Sequence, residues 1–158
     1  MTEKRYYIAY GSNLNVPQMQ MRCPDAKILG TANLNGWELL FKGSKTGSYL
    51  TIEKNPDGSV PVVIWEVTER DEKALDRYEG YPNFYYKKNI KVRYKGIRTG
   101  LRRTVNAFVY IMHENRRIGI PSPWYMQTCL EGYETFYFNR NTLMSAYKKC
   151  KRMCENEG

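Results

Sequence analysis

Histidine is almost missing from this chain: His113 is the single example among 158 residues. One imidazole excludes metal sites and relays that need two or more histidines. The four cysteines, Cys23, Cys129, Cys150 and Cys154, include no C-x-x-C pair. With one histidine they make a poor zinc set, so reduced thiols are expected, with no metal and no cofactor. No stretch approaches the ~20 continuous apolar residues of a membrane span. The opening Met1-Thr2-Glu3-Lys4-Arg5 leads into too short an apolar run for a signal peptide, so a cytoplasmic chain with no membrane partner is expected. Any chemistry must then rest on carboxylates, hydroxyls or backbone groups. His113, between Met112 and Glu114, reads as a structural or surface residue rather than a proton-transfer group.

What is present is a foldable composition with a strong positive bias. Hydrophobic residues make up 42% and charged residues 26%, which suits one domain with its own core spanning 1–158. Lysine and arginine outnumber aspartate and glutamate by 25 to 16, a net charge of +9 that would suit nucleic acid. The cations are spread from Lys87 to Arg152 with no recognition motif, so a nucleic-acid partner is not expected and anionic small molecules are.

The first informative stretch is Tyr6-Tyr7-Ile8-Ala9-Tyr10-Gly11-Ser12-Asn13-Leu14. Its aromatic and β-branched start predicts a strand, and Gly-Ser-Asn predicts a turn into a helix over 15–22, with Ser12 or Asn13 as cap, Met19 inward and Pro24 as terminator. Such a turn leaves backbone N–H groups free to face an anion or a carbonyl oxygen. Residues 28–41 read as strand with a turn at Asn35-Gly36, and 43–47 as a loop. Segments 49–52 and 60–67 read as a hairpin around Asn55-Pro56-Asp57-Gly58. Thr68, with Asp71 three residues on, opens a helix that buries Ala74, Leu75 and Tyr78 and stops at Gly80. Strands follow at 84–94 and 106–112, with turns at Lys95-Gly96 and Thr99-Gly100. Ser122 or Pro123 starts a helix over 124–131, and an amphipathic helix over 139–154 carries Leu143, Tyr147, Cys150 and Cys154 on one stripe.

Glu79 falls at the end of the helix before Gly80, where the dipole favours cations. Taken by itself it is either a solvated surface glutamate or a general base.

Three blocks then stand in order: Tyr10-Gly11-Ser12-Asn13-Leu14, Leu75-Asp76-x-x-Glu79-Gly80, and Pro121-Ser122-Pro123-x-Tyr125. Together they resemble the γ-glutamylcyclotransferase-like family, which includes the AIG2-like proteins, over about 6–138. The resemblance implies an α+β fold, a mixed sheet curled into a partial barrel with surrounding helices. It also implies attack of a γ-glutamyl α-amine on its own side-chain carbonyl, releasing 5-oxoproline and the amine or amino acid. By the same resemblance Glu79 is the catalytic acid/base, and Tyr10, Gly11, Ser12, Asn13 and Leu14 hold the glutamyl group. Tyr86, or Tyr85 under a shifted alignment, approaches the cavity, and Tyr125 helps close it. A tethered nucleophile needs no activated serine or cysteine, and one carboxylate raised toward neutrality can both take and return the proton. The leaving group is left open: amino acid, alkylamine, glutathione or a γ-glutamyl-protected biosynthetic product. A noncatalytic basic binding protein is the reading from another class, and the oligomeric state is undetermined.

Overall fold

The structure, a computed structural model, describes residues 4–44 and 47–156. Strand β1 (Arg5–Ala9) is followed by a single 3-10 turn at Ser12–Leu14 and helix α1 (Val16–Arg22). Asn15, not Ser12 or Asn13, caps α1 by accepting from the Gln18 amide at 3.4 Å. The extra turn moves the cap on and leaves the Ser12 and Asn13 side chains to tertiary partners.

Strands β2 (Lys27–Ser44) and β3 (Gly47–Val67) form one long antiparallel hairpin. Segments 49–52 and 60–67, expected to pair with each other, instead both pair with β2; of the expected loop over 43–47, Gly43, Ser44 and Gly47 are paired in the ribbon and the other two residues lie outside the described ones. Asn35-Gly36 and Asn55-Pro56-Asp57-Gly58 are the two sides of an irregularity: the register steps from Asn35↔Ser59 to Trp37↔Lys54, with Gly36 at φ 87°. Turn-forming residues here bend a ribbon rather than reverse it.

Helix α2 (Glu69–Glu79) begins in a reciprocal capping box between Thr68 and Asp71 and ends at Gly80, whose φ of 65° suits a residue without a Cβ. Leu75 is buried as expected, whereas Tyr78 is 45% exposed. Strands β4 (Tyr85–Gly96) and β5 (Arg102–Met112) pair along their full length, and short β6 (Arg117–Ile118) adds to β2. Ser122 caps α3 (Pro123–Thr135), which runs a turn beyond its expected end, and α4 (Arg140–Asn156) follows.

The sheet order β3-β1-β5-β4-β2-β6, with β2 also paired to β3, is a mixed sheet that curls into a partial barrel. The β2–β4 seam consists of two residue pairs, Gly30↔Gly96 and Thr31↔Lys95, and β1 runs parallel to β5. Trp65, Tyr110, Phe41, Phe108 and Ile8 are fully or almost fully buried in the core. Leu143 and Cys150 of α4 are buried in the same core, and Tyr147 meets Phe41 edge-on. Helix α3 lies so close to the 3-10 turn that a Cβ on Gly132 would sit 2.5 Å from the Leu14 Cβ.

Candidate active site

A cavity of about 420 Å³ opens at one end of the barrel, within the ~300–1,000 Å³ usual for small-molecule sites. Six parts of the chain line it: the end of β1 and its turn, the start of β3, the end of α2, the start of β4, β5 and α3. Three of them are fixed by a local device: the end of α2 by the Gly80 stop, the start of α3 by the Ser122 cap, and the turn after β1 by Leu14 locked under α3.

Glu79 enters from the end of α2. Its carboxyl has no hydrogen-bond partner among the described residues, and Arg22 is the one charge that acts on it. Burial pushes its pKa from 4.5 up to about 8, with the Arg22 guanidinium pulling the other way. A group poised there takes and returns protons near neutral pH.

The turn that lines the same cavity offers donors. Leu14 N–H bonds the Gly11 carbonyl and Asn15 N–H bonds the Ser12 carbonyl, each at 3.0 Å. The amides of Gly11, Ser12 and Asn13 donate to no protein acceptor among the described residues. The side chains around them are tied back. Ser12 Oγ lies 3.1 Å from Tyr78 Oη, and Asn13 donates to Tyr7 Oη at 2.9 Å and accepts from Arg22 Nη1 at 2.6 Å. Arg22 also stacks 3.7 Å above the Tyr78 ring and donates to Gln18. This one guanidinium therefore braces the turn against the last turn of α2.

Tyrosines form the walls. Tyr10 donates to the Tyr110 carbonyl at 2.7 Å, and Tyr85 donates to the Leu50 carbonyl at 2.8 Å. Tyr125 accepts from the Leu50 amide at 3.1 Å, and Tyr49 packs edge-on against it at 5.3 Å. Burial first, then the Glu79 charge, raises the Tyr7 and Tyr10 pKa values, and burial is the largest cause for Tyr85 and Tyr125 too, so all four stay neutral phenols.

Of the residues named from sequence, Glu79, Tyr10, Gly11, Ser12, Asn13, Tyr85 and Tyr125 line this cavity. Leu14 and Tyr86 do not. Leu14 is fully buried beneath Gly132, and Tyr86, on the opposite face of β4 from Tyr85, donates to Glu114 at 2.6 Å. Strand alternation resolves the choice between the two tyrosines in favour of Tyr85 as the lining residue. His113 lies outside the cavity, its Nε2 2.8 Å from the Pro82 carbonyl. Among the described residues no cluster of three or more His, Cys, Asp or Glu side chains is placed to hold a metal.

Comparison with known proteins gives this geometry a context. The family profile described as "Gamma-glutamyl cyclotransferase, AIG2-like" matches residues 7–127. The chain belongs to that family. It is similar to the Bos taurus gamma-glutamylcyclotransferase, 33% identical over 91 residues that cover 53% of this chain and 48% of the bovine protein. The match thus spans about half the length of that relative. It is also similar to the Homo sapiens gamma-glutamylcyclotransferase, 29% identical over 137 residues, covering 82% of this chain and 70% of the human one. Among solved structures, one described as a gamma-glutamyl cyclotransferase superposes with a TM-score of 0.76 at 26% identity, covering 94% of this chain and 87% of that one.

In this AIG2-like cyclotransferase fold the sequence motifs mark the turn, the glutamate and the α3 tyrosine. They do not mark Tyr7, Tyr49, Leu50, Tyr110 or Arg22. Four of these sit on strands where aromatic and aliphatic residues are ordinary, and Arg22 looks like any cation ending a helix. No local pattern distinguishes them; only the folded arrangement brings them together.

Proposed function

We propose that this chain is a γ-glutamylcyclotransferase that converts an L-γ-glutamyl amino acid to 5-oxoproline and the free amino acid, with Glu79 as sole acid/base. The observation that carries this reading is that one uncommitted carboxyl and three uncommitted backbone amides share a tyrosine-walled cavity. The family membership supports it.

In the proposed mechanism, Glu79 takes a proton from the glutamyl α-ammonium, and the freed amine attacks the side-chain carbonyl carbon. The carbonyl electron pair moves to oxygen as the new C–N bond forms. The amides of Gly11, Ser12 and Asn13 bind the oxyanion or the α-carboxylate. As the carbonyl re-forms, the bond to the departing nitrogen breaks. Over the whole reaction the ammonium loses two protons, the lactam nitrogen keeps one, and the departing nitrogen gains both, so Glu79 shuttles twice. Tyr10, Tyr85 and Tyr125 fold the substrate so that its own amine lies near attacking distance.

The ionisable lining separates the leaving-group readings. Arg77 is the one cation and Glu79 the one acid among the described lining residues. A leaving group with a carboxylate close to the scissile nitrogen therefore meets a complementary charge, which a simple alkylamine lacks; the lysine of γ-glutamyl-ε-lysine carries a carboxylate too, but at the far end of its side chain and beside its own α-ammonium. The test is 5-oxoproline detection by mass spectrometry with γ-glutamyl-alanine, γ-glutamyl-ε-lysine, glutathione and a γ-glutamyl alkylamide. Highest kcat/KM for γ-glutamyl-alanine is expected. Turnover of the lysine or alkylamide substrate alone would reassign the chain as a γ-glutamylamine cyclotransferase, and no 5-oxoproline from any of the four would remove the proposed activity.

A further inference from the structure

The hairpin of β4 and β5 carries charge that cyclisation does not use. Between Gly80 and His113 the sequence has no aspartate or glutamate, yet it holds eight lysines and arginines. Lys87 is neutralised by Glu72 at 2.7 Å and Asp76 at 3.0 Å. Farther along, Lys95 stands directly opposite Arg102, Arg93 opposite Thr104 and Lys91 opposite Asn106, all of them exposed. Like charges placed across a strand pair disfavour the sheet. None of Lys91, Arg93, Lys95, Arg98 and Arg102 meets a carboxylate among the described residues.

The tip adds a second, independent feature. Its turn is held by the Gly96 amide on the Leu101 carbonyl at 2.8 Å and the Gly100 amide on the Gly96 carbonyl at 2.9 Å. That turn leaves Ile97 53% and Leu101 67% exposed, flanked in sequence by Lys95, Arg98 and Arg102. Exposed aliphatic side chains amid unpaired cations match a surface with an apolar interior and an anionic face.

We propose that the β4–β5 tip is a peripheral docking site for an anionic lipid surface. Ile97 and Leu101 enter the boundary between headgroups and acyl chains, and Lys95, Arg98 and Arg102 lie against the anionic headgroups, with Arg93 and Lys91 behind them. This departs from the sequence-based expectation of no membrane partner, which rested on the lack of a spanning segment; a surface-docked tip needs none. Nucleic acid fits the charge, and Trp37, Phe136 and Phe138 border the groove that Lys91, Arg93, Lys95 and Arg102 line, but the exposed pair at the tip, Ile97 and Leu101, is aliphatic and offers a base nothing to stack on. The docking leaves the cavity accessible: Tyr85, at the other end of β4, is roughly 35 Å from Gly96 along the strand.

The test is co-sedimentation of the full chain with phosphatidylcholine vesicles, with and without phosphatidylserine, at about 0.1 M and about 1 M salt. Binding is expected only to the phosphatidylserine vesicles and only at low salt. The triple variant Lys95→Gln, Arg98→Gln, Arg102→Gln should weaken partitioning by roughly a hundredfold. The double variant Ile97→Ser, Leu101→Ser should weaken it by at least about tenfold, with melting temperature and 5-oxoproline formation as in wild type. Equal binding to neutral vesicles, or no vesicle binding, overturns the proposal. Retention of single-stranded RNA without vesicle binding, unaffected by the Ile97→Ser, Leu101→Ser change, overturns it in favour of a nucleic-acid surface.

Discussion

Arg22 touches both halves of the candidate site, through Asn13 on one side and the Tyr78 ring on the other. Its charge also favours the ionised form of Glu79, against the larger effect of burial. Replacing Arg22 with Gln should therefore raise the Glu79 pKa further. The ascending limb of kcat/KM against pH, expected near pH 8 in wild type, should move to higher pH, while Arg22→Lys should move it less. A purely structural role for Arg22 would lower activity without shifting that limb. Glu79 also sets a stability dependence. Its folded pKa of about 8 lies above the unfolded value of 4.5, so the native state holds the extra proton between those values. Stability from this group is complete below pH 4.5 and is lost as pH rises through about 8. The melting temperature of wild type should fall relative to Glu79→Gln across that window, and parallel curves would show that the carboxyl is not desolvated.

At the scale of elements, close contact between α3 and the first turn decides whether the amide donors keep their place. A Cβ on Gly132 would meet Leu14 Cβ at 2.5 Å and the Leu14 backbone carbonyl carbon at 2.7 Å. Gly132→Ala should cost about 1–3 kcal/mol in urea unfolding, the usual size of an overpacked contact, and should lower kcat/KM by displacing the turn. An unchanged midpoint would mean that the helix and turn are not locked together. The elements that were legible in the sequence are those set by near neighbours. Thr68 with Asp71, Gly80, and Ser122 with Pro123 act over a few residues, and each marks a boundary where it was expected. The β2–β3 ribbon was not legible for the converse reason. Asn55-Pro56-Asp57-Gly58 has the residues of a hairpin turn, but the choice of partner lies with β2, some twenty residues away. Turn propensity reports a bend, and tertiary pairing decides what the bend is for.

At the scale of the whole molecule, the barrel gathers chain ends that no single segment could bring together. Glu79 and the Gly11–Asn13 amides come from parts of the chain more than sixty residues apart, and the β1–β3–β2 pairing with α3 behind it sets their separation. That is why the motifs mark the turn and the glutamate but not the walls: Tyr49 and Tyr110 line the cavity only when the sheet curls. The most direct measurement is 5-oxoproline formation from γ-glutamyl-alanine by wild type and by Glu79→Gln, both checked for native melting. Wild type should form the product, and turnover should fall by roughly 10²–10⁴ in the variant, the usual contribution of a positioned acid/base. Turnover by Glu79→Gln equal to wild type would contradict the assignment of Glu79.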